Sequence, residues 1–185
     1  MPVPMETTIT FRHVLDAAAF AARAHQGQLR KDKQTPYVSH VFRVCLILRD
    51  LFGFNDPRML CAALLHDTVE DTTTDFDDLA ERYSAEVAHW VALLTKDKRL
   101  PEADREAAYL RGLQAAPWQV KACKLADVYD NLLDMTGLPP ERQPHTLQRA
   151  RHYLDGLSEA PSPELKRPLE LAWQLWRERS IEPEA

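Results

Sequence analysis

A histidine followed by a knot of carboxylates carries the strongest chemical signal in the chain. His66-Asp67-Thr68-Val69-Glu70-Asp71 arrives at the end of MLCAALLHD, a run that is apolar nearly all round and reads as a central, buried helix. If that helix continues through the segment, His66 and Glu70 share one face at i, i+4, and Asp67 and Asp71 share the neighbouring one. Ionisable groups crowded at a buried helix end are costly unless they are paired or hold a cation. Acidic residues there also oppose the helix dipole, which favours a bound positive charge. A solvated helix C-terminus is the plainer alternative.

Two other segments offer partners. In Lys124-Leu125-Ala126-Asp127-Val128-Tyr129-Asp130-Asn131, Asp127 and Asn131 stand one helical turn apart and would project together, or simply occupy a wet face. Pro36-Tyr37-Val38-Ser39-His40 places a histidine at the start of another helix, where a lone histidine is more often a cap or a core residue. Together, His40, His66, Asp67 and Asp127 form a two-histidine, two-carboxylate set of the kind that suits manganese, iron(II) or zinc. An ion so held can polarise a phosphoryl oxygen and acidify a bound water, and Glu70 and Asp71 would be near enough to orient or deprotonate that water. Arg30, Lys31 and Lys33 form one local basic cluster and Lys96, Lys98 and Arg99 another, either as phosphate binders or as ordinary surface charge.

The elements that must position these groups are helices. Phe11, Leu15, Ala18, Ala22 and His25 recur at helical spacing, and Gly27 follows as a C-terminal cap. A second helix spans about Ser39 to Phe52 and stops at Gly53, and Asp56-Pro57 caps the apolar helix that leads to His66. Further helices are expected at 75 to 83, 84 to 95, 102 to 115, 117 to 135, 144 to 157 and 163 to 179, the last opened by Ser162-Pro163-Glu164. Alternating β-branched runs and tight hairpin dipeptides are absent, so no sheet is expected and the fold class is all-α. Pro139-Pro140 through Pro144 reads as a stiff loop, too short for a domain linker.

Composition narrows the function classes. At 185 residues the chain reads as a single domain over 1–185, with a core of 10–157 and a C-terminal helix at 163–179. Its 45% apolar and 28% charged content is globular. A net charge of -5 argues against general nucleic-acid binding. No apolar run is long enough to span a bilayer, and MPVPMETTIT lacks the pattern of a secretory signal, so a cytoplasmic protein is expected. Cys45, Cys61 and Cys123 sit inside apolar helical patterns and read as reduced core thiols.

Residues 20 to 136 resemble the hydrolase domain of the RelA/SpoT family, within the HD-domain metal-dependent phosphohydrolases. The resemblance is carried by Ala24-His25-Gln26-Gly27-Gln28, Arg30-Lys31-Asp32, Pro36 to His40, Ala62 to Thr72, Thr95-Lys96-Asp97-Lys98 and Lys124 to Asp127 followed by Asn131. It implies an HD-domain helical bundle with metal ligands at His40, His66, Asp67 and Asp127, a catalytic pair at Glu70 and Asp71, and Mn2+ as cofactor. It likewise implies that Arg30 and Lys31 line a nucleotide pocket, with Asn131 and Lys98 as further substrate contacts. The stretch 95 to 101 is similar to metazoan-type members, whose later Arg-x-x-x-Tyr pair is matched by Arg149 and Tyr153.

The implied activity is removal of the 3′-pyrophosphate of (p)ppGpp to give GDP or GTP and pyrophosphate, by a stand-alone small alarmone hydrolase whose substrate is its implied partner. Hydrolysis of (p)ppApp, a NADPH 2′-phosphatase activity and a non-catalytic alarmone sensor remain alternatives. The chain departs from the family at Asp32-Lys33, which bring one extra residue before His40, and at Val128-Tyr129-Asp130, where a basic and histidine-containing stretch is commoner. Both are expected near the pocket, bearing on base preference more than on catalysis.

Overall fold

A computed structural model describes residues 8–181. The beginning of MPVPMETTIT and the end of the acidic tail lie outside the described residues. Helix α1 (Phe11–Ala24) ends at His25, and the chain turns through Gly27 at φ +78, a left-handed conformation that glycine adopts without steric cost. A short hairpin-like loop follows, tied by Arg30 N–H to Thr35 O at 2.8 Å and Tyr37 N–H to Gln28 O at 2.8 Å. Its Leu29–Pro36 bridge is isolated, and no strand occurs among the described residues.

Helix α2 (Val38–Leu46) begins within a residue of expectation, but its last turn, Ile47–Leu51, is π-helical. Val44, Leu48 and Phe52 recur every four residues and are all buried, a spacing between the α and π repeats. Widening the turn keeps this row aimed at the core. Gly53, at φ +86, then redirects the chain.

Helix α3 (Pro57–Leu65) starts as its sequence requires, with Asp56 Oδ1 accepting from Arg58 N–H at 2.9 Å and Pro57 in the first turn. From Met59 to Leu65 no residue is more than 3% exposed. This helix is the central rod, packed by α1 and α2 and by α6 (Ala85–Leu94) and α8 (Trp118–Asp134). Short helices α4 (Thr68–Asp71) and α5 (Phe76–Arg82) lead into α6. Ser84 caps α6 by accepting from Val87 N–H, and α7 (Glu102–Ala115) closes one side of the bundle.

The stiff loop at Pro139 contains a 3-10 turn, Pro140–Arg142, before α9 (Gln143–Ser158). The last expected helix opens as a 3-10 turn at Pro163–Leu165 and continues as α10 (Lys166–Ser180) on α8 and α9. Trp176 Nε1–H donates to Leu147 O at 2.9 Å and fastens it there. Cys45, Cys61 and Cys123 are buried free thiols. No helix of the described residues is long and apolar enough to cross a membrane.

Candidate active site

The continuous helix considered for residues 57 to 71 does not form. It breaks after Leu65, with Asp67 at φ -100, ψ -4, and α4 restarts at Thr68. Thr68 Oγ1–H donates to Leu65 O at 2.6 Å, satisfying a carbonyl at the break. Adjacent residues on an α-helix point about 100° apart. His66 and Asp67, at the break, both line the same cavity.

His66 Nδ1–H donates to Ala63 O at 2.7 Å, so the Nε2 lone pair is the free one. That nitrogen is buried without a hydrogen-bond partner, although Asp67 Oδ2 lies only 3.0 Å away. Two acceptors turned toward one point, rather than toward each other, are what a shared cation produces. His40, from the first turn of α2, points Nε2 into the same space, 3.2 Å from Asp127 Oδ1 and 3.6 Å from Asp67 Oδ2. One ligating atom each from His40, His66 and Asp67 falls within a 4.8 Å cluster. Ligands about 2.0–2.2 Å from a common ion lie roughly 3.0–3.6 Å from one another. Separations of 3.0, 3.2 and 3.6 Å fit a divalent ion between these donors.

Asp127 is the most tightly held member. Its Oδ2 accepts from Lys124 Nζ at 2.7 Å and its Oδ1 from Asn131 Nδ2 at 2.6 Å. Tyr37 O–H donates to Asp67 Oδ2 at 2.5 Å. Burial opposes charge on His66, but Asp67 beside it prevails and pushes its pKa up to about 9. Burial likewise opposes charge on His40, and its bonds to Asp127 and Asp130 override that and raise its pKa. The pocket therefore attracts positive charge.

Glu70 and Asp71 leave α4 toward the same cavity. Burial raises the Glu70 pKa, only partly offset by the hydrogen bond from Lys96 N–H. Asp71 Oδ1 accepts from Lys98 Nζ at 2.8 Å, and Lys98 also donates to Glu70 O at 2.5 Å. Lys98 is thus half exposed and fastened to the acidic pair, outside the cavity lining. The Ala24–Gln28 stretch works from the other side: His25 Nδ1–H donates to Gln28 Oε1 at 2.8 Å, and Gln28 Nε2 donates to Asp71 O at 2.7 Å.

The cavity encloses about 330 Å³. The same cavity is lined by Arg30, Lys31, Lys96, Lys124 and Arg149, a basic set in an acidic protein. Lys31 is exposed at the rim, where desolvation and then the Arg149 and Arg30 charges lower its pKa. Arg30 is buried and engaged, with Nε donating to Asp134 at 3.0 Å and Nη2 to Asn131 Oδ1 at 3.2 Å. Lys33, the third member of that cluster, occupies a left-handed turn at φ 62, and Asp32 ties the loop by accepting from Gln34 N–H and Thr35 N–H at 2.9 Å each. Arg149 and Tyr153 also line the cavity, and Tyr153 O–H donates to Glu106 Oε2. Arg99, by contrast, is exposed and paired with Asp97.

Several site residues escaped the sequence. Lys96, read as either a phosphate binder or surface charge, is buried, 2.6 Å from Glu106 and over the Tyr109 and Tyr153 rings. Glu106 had no local signal at all, because its partners come from α9 and the loop after α6. Tyr37 and Lys124 stood inside the quoted motifs without a role. The departure at Val128-Tyr129-Asp130 also divides: Val128 lines the cavity, Tyr129 packs on Phe52, and Asp130 is fully buried behind His40.

An HD domain model matches residues 17–153, the stretch that contains the three clustered donors, Asp127 beside them, the acidic pair and the Arg149–Tyr153 pair. The chain belongs to the HD-domain family. It is 39% identical over 147 residues to a guanosine-3′,5′-bis(diphosphate) 3′-pyrophosphohydrolase of Xenopus tropicalis, covering 79% of this chain and 81% of that one. The human protein of the same name is 42% identical over 129 residues, covering 69% and 72%. A solved structure reported as a metazoan orthologue of SpoT that hydrolyses ppGpp superposes with a TM-score of 0.80 at 32% identity, covering 94% of this chain and 99% of that one.

Proposed function

We propose that this chain is a metal-dependent phosphohydrolase that removes the 3′-pyrophosphate of (p)ppGpp, releasing GDP or GTP and pyrophosphate, with Mn2+ as its ion. The observation that carries the reading is the unpartnered, buried His66 Nε2 beside Asp67, in a cavity that Arg30, Lys31 and Arg149 also line. Relatives named for this reaction, alike over most of both chains, support the substrate class.

His40, His66, Asp67 and Asp127 would hold the ion. Once bound, it supplies polarisation of a phosphoryl oxygen and a lowered pKa for a water. Glu70, whose raised pKa reflects burial, is placed to accept the proton of the attacking water, with Asp71 beside it. The water oxygen bonds to the phosphorus attached at the 3′ oxygen, that phosphorus–oxygen bond breaks, and the 3′ oxygen leaves as a hydroxyl with a proton from solvent water, balanced when Glu70 releases its own. Lys31, Arg30 and Arg149 neutralise the phosphates, and Asn131 orients the nucleotide side. Lys98 acts here through Asp71, and Tyr153 by presenting Arg149 and Lys96 with Glu106.

One domain spanning the chain, with α10 as part of it, accords with α10 packing on α8 and α9. Three buried free thiols accord with a reducing, cytoplasmic setting. Chromatography of products after incubation with Mn2+ and ppGpp, ppApp or NADPH tests the function. GDP and pyrophosphate as the preferred products support it; preferential turnover of ppApp, or of NADPH with release of orthophosphate, would reassign the substrate.

A further inference from the structure

Asp130 is 0% exposed and faces away from the cavity, toward the back of His40. Its Oδ2 accepts from His40 Nδ1–H at 2.7 Å and its Oδ1 from Arg43 Nε–H at 2.6 Å. Arg43 continues to Asp134 Oδ1 at 3.0 Å, Asp134 to Arg30 at 3.0 Å, Arg30 to Asn131 at 3.2 Å, and Asn131 to Asp127 at 2.6 Å. Asp127 Oδ1 returns to His40 Nε2 at 3.2 Å, which closes a ring of charged and polar groups. The ring joins α2, the loop at Arg30 and α8, and both nitrogens of His40 belong to it.

We propose that Asp130 is a positioning residue that fixes His40 as its Nδ1–H tautomer and so presents the Nε2 lone pair to the ion site. The inference rests on the reading of His40 as a ligand. An imidazole can offer Nε2 to a metal only when the proton sits on Nδ1, and a carboxylate that accepts that proton both sets the ring angle and raises ligand basicity. A buried carboxylate is costly without compensation, and here two donors hold both oxygens. The position the sequence assigned to base preference therefore acts from behind the metal side, with no atom on the cavity wall.

The test uses the full chain stripped of metal, titrated with Mn2+ alone by calorimetry, with the His40 tautomer read from ring-nitrogen NMR. Asp130→Ala and Asp130→Asn should each weaken Mn2+ binding about 10- to 100-fold. In the ion-free protein at alkaline pH, where the ring is neutral, His40 should be the Nδ1–H tautomer, and Asp130→Ala should shift it toward Nε2–H. Arg43→Gln leaves the His40–Asp130 bond in place and should keep both affinity and tautomer near wild type, whereas a purely structural ion pair would make it behave like Asp130→Ala. If Asp130→Ala fails to fold, Asp130→Asn and the wild-type tautomer still decide. Unchanged Mn2+ affinity in a folded Asp130 variant, or an Nε2–H tautomer in wild type, overturns the proposal. Neither readout requires ppGpp, so failure of the proposed hydrolysis would remain distinct from failure of this inference.

Discussion

Glu70 Oε2 accepts a hydrogen bond from the backbone N–H of Lys96 at 3.0 Å. That single bond fixes one oxygen and leaves the other for the cavity, so the carboxylate is held without being consumed. Glu70→Gln keeps the shape and this acceptor but loses the proton acceptor. Its kcat should fall by roughly 10²-fold or more, with Mn2+ affinity and KM little changed. Steady-state kinetics with parallel metal titration checks this; normal turnover would remove Glu70 from the proton path.

Lys31 and Arg30 should separate in their kinetics. Lys31 is exposed at the rim and makes no side-chain hydrogen bond among the described residues, so Lys31→Ala should raise KM and flatten the salt dependence while sparing kcat. Arg30 also holds Asn131 and Asp134, so Arg30→Ala should raise KM and lower kcat together. Equal effects of the two substitutions on kcat would contradict this division.

Far from the cavity, Arg82 grips Asp16 with both forks, at 2.7 and 2.8 Å, and Tyr83 O–H adds a third bond, fastening α1 to the end of α5. The Arg82 hydrogen bond, against the cost of burial, lowers the Asp16 pKa to about 2 from 3.8. A depressed carboxylate pKa contributes stability above its unfolded value, and that contribution disappears as pH falls from about 4 to about 2. The pair is largely exposed, so Asp16→Asn should lower Tm at pH 7 by no more than about 2–4 °C. The difference from wild type should shrink through that acid window in thermal melts, and a difference that persists at pH 2 would assign it to packing instead.

Much of the scaffold was legible because local chemistry and tertiary packing agree. Asp56-Pro57 starts α3 where a cap and a first-turn proline belong, and Gly27 and Gly53 take the left-handed turns that end their helices. Periodicity could not show the break at His66-Asp67, because MLCAALLHD continues smoothly into a helical pattern. The break lies where Thr68 Oγ1–H bonds Leu65 O and the His66 and Asp67 side chains line one cavity. The π-helical turn at Ile47–Leu51 accompanies a buried row of four-residue spacing.

As a candidate donor set, His40, His66, Asp67 and Asp127 were legible from residue type, and all four line one cavity. The groups that orient those donors were less so. Asp130 and Glu106 act through partners on other elements, up to 90 positions away in the case of His40 and Asp130. Lys96 and Lys124 are buried cations, and composition reads lysine as surface until the carboxylates and tyrosines that hold it are known.

The most direct measurement titrates Mn2+ into chelator-stripped protein while following bound Mn2+ by electron paramagnetic resonance and ppGpp hydrolysis by product chromatography. Turnover to GDP and pyrophosphate should rise in proportion to bound ion and level off at a single equivalent, and His66→Ala and Asp67→Ala should lose both signals together. Full turnover in excess chelator, or undiminished turnover in His66→Ala, would contradict an ion-dependent reaction at this site.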